Sequence, residues 1–422
     1  MSLPAQTPHS KTQIEQAEPA VRRVESLQTS SAIDPIPPLR VHGLDLSYFT
    51  GKLEASLRAK GLPYELVAMD TRRFRTMGKR MGIAQMPHLE LPDGQILTDT
   101  SCILKWLEAH HPEPALMPVD PALCWIADLL EDFADEWLWR PALYYRWAFA
   151  ADARLLSERL ARGMLRDINA PVALRRWFIL QRQRHVYLRK DGVSPHNAKA
   201  IEAIYHDTLD ALCVALAQRP FLLGNRPTQA DCGFFGPFFR HFSSDPTPSQ
   251  ILRERAPAAL AWVGRVWNLQ PGQFSHQPQP RGDDPLPDAL GPLISLVVGE
   301  YLPYLVENEI SWAAGKPKHD WTCRGSQFST PVSPYRIWCW QNLRENFQAL
   351  SLQNRERITI WVSSQCGETL ARVFDALVTQ PLAPGRHAGP APWLDRPSAK
   401  AQHPITTLAR RQGPFDRHWR RA

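Results

Sequence analysis

The sequence predicts a small α/β unit followed by an all-α body, and three observations carry the prediction. Between residues 38 and 112, short extended stretches punctuated by Pro and Gly alternate with two helical patterns. After Pro118 the periodicity is helical only, opening with Asp120-Pro121 as an N-cap and first-turn pair. A polar, proline-rich stretch at 271–287 then separates a further helical segment that reaches about residue 378.

The α/β unit is read in order as follows. Leu39–His42 is a strand, and Leu53–Lys60 a helix closed by Gly61 and shut off by Pro63. Tyr64–Met69 is a second strand. Thr71–Arg80, with Arg72, Arg73, Arg75, Lys79 and Arg80, reads as a solvated basic turn. His88–Leu91 and Gln95–Thr98 are two strands joined by Pro92-Asp93-Gly94, where Pro presets φ and Asp-Gly tolerates the positive φ of a tight turn. A helix carrying Ile103, Leu104 and Leu107 opens on Asp99-Thr100-Ser101, three residue types able to cap its first turn. Free backbone N–H groups at such a helix start suit a carboxylate, which makes this end a candidate binding site.

That order, with Met86-Pro87 entering the third strand, resembles the N-terminal thioredoxin-like domain of the soluble glutathione transferases. The resemblance rests on Ser47-Tyr48-Phe49-Thr50-Gly51-Lys52 followed by Leu57–Glu65, on Gln85-Met86-Pro87, and on Leu97–Ile103 with Asp99-Thr100 where the family usually has Glu-Ser. It implies a thioredoxin-like glutathione-binding domain at 38–112, a transferase-type all-helical substrate domain at 120–270, a linker at 271–287 and a helical extension at 288–378. It also implies glutathione as co-substrate. Ser47, with Tyr48 as the alternative hydroxyl, would activate the thiol. Met86 and a cis Pro87 would hold the cysteinyl backbone. Thr100 would take the γ-glutamyl carboxylate, and Asp99 would support that end or meet the ligand's amine.

The helical body offers a second motif. Leu123, Ile126, Ala127, Leu130, Ala134 and Trp137 form an apolar stripe, and the opposite face, Asp128, Glu131, Asp132, Asp135 and Glu136, reads as a water-facing surface. A basic helix spans Leu174–Lys190. Ser194-Pro195 opens the next one, and Phe221–Asp231 follows, in which Thr228 and Asp231 have capping-box spacing. This motif resembles the capping motif of the transferases' helical domain. In the extension, Ala289–Ala314 and Pro334–Leu350 read as helices, while Glu356–Ser363 fits helix or strand.

Composition narrows the function class. The net charge of +7 is mostly terminal, because residues 386–422 hold eight Arg or Lys against two Asp. The rest is nearly neutral, which argues against a nucleic-acid surface. Seven scattered cysteines with no CxxC fit a reducing cytoplasmic compartment and argue against a dithiol site or zinc, so no metal is expected. No apolar run approaching 18 residues is read, hence no membrane span. Residues 1–37 and 379–422 read as disordered ends. The resemblance implies conjugation of glutathione to a small electrophile by a possible homodimer active in detoxification. A non-catalytic, metaxin-like binding or assembly protein and a glutathione-dependent reductase or lyase are the alternatives; the last usually wants cysteine where Ser47 stands.

Overall fold

The computed structural model describes residues 38–282 and 284–379. The expectations for 1–37 and for the tail beyond 379 lie outside the described residues. Strand β1 (Leu39–Gly43), helix α1 (Tyr48–Ala59) and strand β2 (Tyr64–Ala68) form a right-turning start, followed by α2 (Thr71–Met81), β3 (His88–Glu90), β4 (Ile96–Thr98) and α3 (Thr100–His110). The sheet order is β2-β1-β3-β4. β1 runs parallel to β2 and antiparallel to β3, and β3 is antiparallel to β4. This is the thioredoxin-like unit the sequence implied. Val41, Leu89 and Leu97 fill one side of the sheet with Leu53, Leu57, Ile103 and Leu107 from α1 and α3.

The basic stretch after β2 is a helix, not a turn. Its Asp70 side chain accepts from Arg73 N at 2.8 Å, Gly82 ends it at φ 73°, and Phe74, Met77 and Met81 are buried on one face. The five cations occupy the remaining face, so apolar residues at helical spacing outweigh the charge run that suggested a turn.

The helical body comprises α4 (Pro121–Glu136), α5 (Trp139–Ala148), α6 (Ala150–Arg162), α7 (Val172–Arg182, continued as a wider coil to Leu188), α8 (Ala198–Leu216), α9 (Gln229–Pro237), α10 (Pro246–Arg255) and α11 (Pro257–Trp267). Helix α9 is the central piece, packed against both α1 and α4. Two glycines permit that approach: a Cβ on Gly233 would stand 3.0 Å from Glu131 Cα, and one on Gly236 would stand 2.8 Å from the Tyr48 carbonyl oxygen. The capping box at its start is present, Thr228 N donating to Asp231 Oδ2 at 2.9 Å.

Beyond 287 the chain forms α12 (Gly291–Leu296), α13 (Leu302–Ala313), a hairpin of β5 (Lys318–Cys323) and β6 (Ser326–Pro331), then α14 (Pro334–Ala349) and α15 (Leu352–Thr379), the last kinked at Gly367. The segment is therefore not purely helical. The hairpin escaped the sequence reading although His319, Trp321 and Cys323 alternate inward and Arg324-Gly325, both at positive φ, make its two-residue turn. Glu356–Ser363 is helix, with Ile358 and Val362 buried at i, i+4. The absence of a long apolar run is also corrected: Asp288–Ala313 is one 26-residue helical stretch long and apolar enough to cross a bilayer by length and composition. Within the fold 56% of that window is buried, Leu293, Val297, Tyr301 and Leu305 facing the core, which is the behaviour of a core helix.

Candidate functional site

Where the sheet unit meets the helical body, Phe49, Gln85, Met86, Pro87, Asp99, Thr100, Asp135, Glu136 and Tyr335 line one cavity of about 190 Å³. Four of the six residues singled out from sequence are thus brought together, and the Met86–Pro87 bond is cis. Asp99 is the N-cap of α3, its Oδ1 accepting from Cys102 N at 3.1 Å. It holds φ 70°, a conformation that costs a non-glycine residue about 1–3 kcal/mol and persists only where surroundings impose it. The first-turn N–H groups of Thr100 and Ser101 have no acceptor within their own helix, so a carboxylate fits there.

The other two candidates stand elsewhere. Tyr48 is 1% exposed, its hydroxyl donates to the Ala134 carbonyl inside the helical body, and its ring packs edge-on against Trp139 and His241. The close seating of α9 on α1 buries it, which corrects its reading as the alternative activating hydroxyl. Burial also pushes its pKa well above the ordinary phenol value. Ser47 is half-buried at the N-cap of α1, its Oγ accepting weakly from Thr50 N at 3.4 Å. It is not on the cavity wall; Phe49, two residues on, is.

The acidic face of α4, read as solvated, is buried at Glu131 and Asp135 and half-buried at Asp128, Asp132 and Glu136. Lys52 of α1, without exposed surface, contacts Glu131 Oε1 at 2.6 Å, Asp135 Oδ2 and Ser101 Oγ at 2.9 Å. Burial opposes its charge, but the two carboxylates raise its pKa overall and keep the ammonium. Burial raises the Asp135 pKa, with Lys52 pulling the other way. Glu136 is paired with Arg336 Nε of α14 at 2.8 Å. Among the described residues Asp99 has no Lys or Arg partner; its Oδ2 accepts instead from the Tyr335 hydroxyl at 2.9 Å. Five wall residues, Phe49, Gln85, Asp135, Glu136 and Tyr335, were not assigned to the site from sequence. Phe49 and Gln85 sit inside the motif segments that carry the resemblance, and Asp135 and Glu136 had a signal, carboxylates on one face of α4, discounted because a charge run opposite an apolar stripe is usually water-facing. Tyr335 had none.

One turn away, Asp132 accepts from Tyr301 Oη at 2.5 Å, and burial pushes its pKa from 3.8 up to about 7. The folded form therefore holds this proton more tightly than the unfolded chain. The resulting stabilisation is complete below about pH 4 and is lost as pH rises to about 7. Asp132→Asn, which mimics the protonated state, is expected to gain stability relative to wild type between about pH 5 and about pH 8. Urea unfolding at both values checks this; an unchanged difference would refute it.

Comparison with known families matches residues 41–115 to the model described as glutathione S-transferase, N-terminal domain, and 192–265 to glutathione S-transferase, C-terminal domain. Comparison with curated proteins gives no significant match. Solved structures similar to this chain include a beta-etherase, LigF, from Sphingobium sp. strain SYK-6, at 20% identity over 54% of this chain and 94% of that one, TM-score 0.40. Another is a glutathione S-transferase from Rhodospirillum rubrum F11, at 21% identity over 60% and 98%, TM-score 0.39. A third, from Methylobacterium radiotolerans JCM 2831 in complex with glutathione sulfonate, has 25% identity over 54% and 90%, TM-score 0.34.

Proposed function

The chain belongs to the glutathione transferase superfamily, and from that premise we propose that it binds glutathione at the Asp99–Thr100 cavity and joins its thiol to a small electrophile. The observation that supports this is the convergence of Met86, cis-Pro87, Asp99 and Thr100 on one wall at the start of α3. In this reading the Met86 backbone pairs with the cysteinyl residue as an added strand would. The Thr100 turn takes the γ-glutamyl carboxylate, and Asp99 takes the ammonium beside it. The cavity is smaller than the roughly 300–1,000 Å³ of typical ligand clefts. It suits the γ-glutamyl end, with the rest of the tripeptide extending toward the α1 start.

Chemistry then requires a thiolate. A free thiol has a pKa of about 8.5, and each unit of depression needs about 1.4 kcal/mol, within reach of one charge-assisted hydrogen bond at a helix N-terminus. Ser47 caps α1 and is the hydroxyl left for this task once Tyr48 is buried. The thiol proton leaves to solvent, the sulfur lone pair forms the new C–S bond, and the electrophile's leaving group departs with its electron pair.

A second reading, binding without catalysis, is favoured by one observation: Ser47 is off the cavity wall and its hydroxyl turns to its own helix. Calorimetry with glutathione and a conjugation assay over a panel of electrophiles separate the two. Binding with turnover that falls about tenfold or more in Ser47→Ala supports the enzyme. Binding without turnover in wild type supports the second reading, and no binding removes both. Asp99→Ala is expected to weaken glutathione binding about tenfold or more, through loss of a charge-assisted contact and of the α3 cap.

A further inference from the structure

Helix α14 belongs to the extension, yet it forms part of the cavity wall at the end where α3 begins. It is anchored along α4: Arg336 pairs with Glu136 at 2.8 Å, and the Trp125 indole of α4 donates to the Leu343 carbonyl at 3.0 Å. This anchoring has two consequences inside the cavity. Arg336 neutralises Glu136, and Lys52 already neutralises Asp135, so Asp99 remains the wall carboxylate without a cationic partner among the described residues. Tyr335, the residue before Arg336 in the first turn of α14, then donates its hydroxyl to Oδ2 of that carboxylate at 2.9 Å.

An ionised carboxylate oxygen accepts more than one hydrogen bond, so Asp99 can receive a small donor beside Cys102 N and Tyr335. A primary ammonium meets that need with three N–H groups and no bulk. A substituted nitrogen carries an acyl group into the ring that walls the same carboxylate. We infer that Tyr335 is a specificity-determining residue contributed by the extension: it closes the Asp99 end of the cavity so that only ligands with a free α-ammonium enter. This rests on the glutathione reading above and deepens it, because the extension becomes a structural part of the ligand site.

The test is calorimetric titration of the full chain and of Tyr335→Ala, Tyr335→Leu and Tyr335→Phe with glutathione and with its α-N-acetyl derivative. Wild type is expected to prefer glutathione strongly. Tyr335→Phe keeps the ring and keeps the preference. Removing the ring in Tyr335→Ala is expected to shrink the preference by about tenfold or more, a change a merely structural role would not produce. Should Tyr335→Ala fail to fold, Tyr335→Leu carries the same expectation. A preference unchanged in the folded ring-less variant, with wild type still binding glutathione, overturns this inference alone. Absence of glutathione binding by wild type overturns it together with the proposed function.

Discussion

Lys52→Met is expected to destabilise the fold by about 3–5 kcal/mol. The ammonium has no exposed surface and joins three elements: α1 which carries it, α4 through Glu131 and Asp135, and α3 through Ser101. Methionine replaces the stem but leaves the buried Glu131 and Asp135 carboxylates without the ammonium that joined them. They respond by taking up protons, and the Asp135 carboxyl, already raised by burial, moves further above the ordinary carboxylate range. A raised pKa stabilises the fold at low pH and withdraws that help as pH rises. The deficit should accordingly be smaller near about pH 5 than near about pH 8. Urea denaturation at both values measures it. A loss under about 1 kcal/mol at neutral pH, or a deficit that grows on acidification, would contradict the account.

Asp231→Ala should cost about 3–5 kcal/mol, well beyond the roughly 1 kcal/mol of an ordinary helix cap. The carboxylate has no exposed surface and closes the capping box with Thr228 N at 2.9 Å. It also receives Leu222 N at 3.0 Å and the Trp262 indole at 2.9 Å, tying the loop before α9 and helix α11 to one point. Alanine strands these three buried N–H donors and the Thr228 hydroxyl, which also donates to Oδ2 at 3.2 Å, and each costs about 1–3 kcal/mol when left unmet, though not additively. Asp231→Asn, which keeps an acceptor, should lose less. Thermal and urea unfolding of the two variants distinguish the cases: equal and small losses would mean that the residue acts as a surface cap only.

The two residues illustrate how differently the sequence and the folded chain present the same carboxylates. Thr228 and Asp231 are legible as a cap because the interaction is local, three residues apart on one turn. The indole that makes Asp231 a hub lies 31 residues away and leaves no mark nearby. For α4, local spacing identified Leu123, Ile126, Leu130 and Ala134 as core, and all are buried. It misassigned the acidic face because the partners, Lys52 and Arg336, lie on α1 and α14, 83 residues from Asp135 and 200 from Glu136. A helical wheel reports which face is apolar, and it is silent on whether a charged face meets solvent or a counter-charge.

The meeting of the Asp99-Thr100 turn with Met86-Pro87 was implied by the family resemblance; by itself the sequence determined the short strands with the α1 and α3 helices, the helical body and the capped turn at Asp99-Thr100. These follow from short-range rules: alternation, 3.6-residue periodicity, caps and the stereochemistry of Pro and Gly. The tertiary structure alone decided that Tyr48 is core, that Ser47 lies off the cavity wall, and that Tyr335, 236 residues from Asp99, hydrogen-bonds to its carboxylate. Such placements depend on how α9 seats on α1 and how α14 lies along α4. Side-chain packing between elements distant in sequence sets them, and no local pattern encodes it.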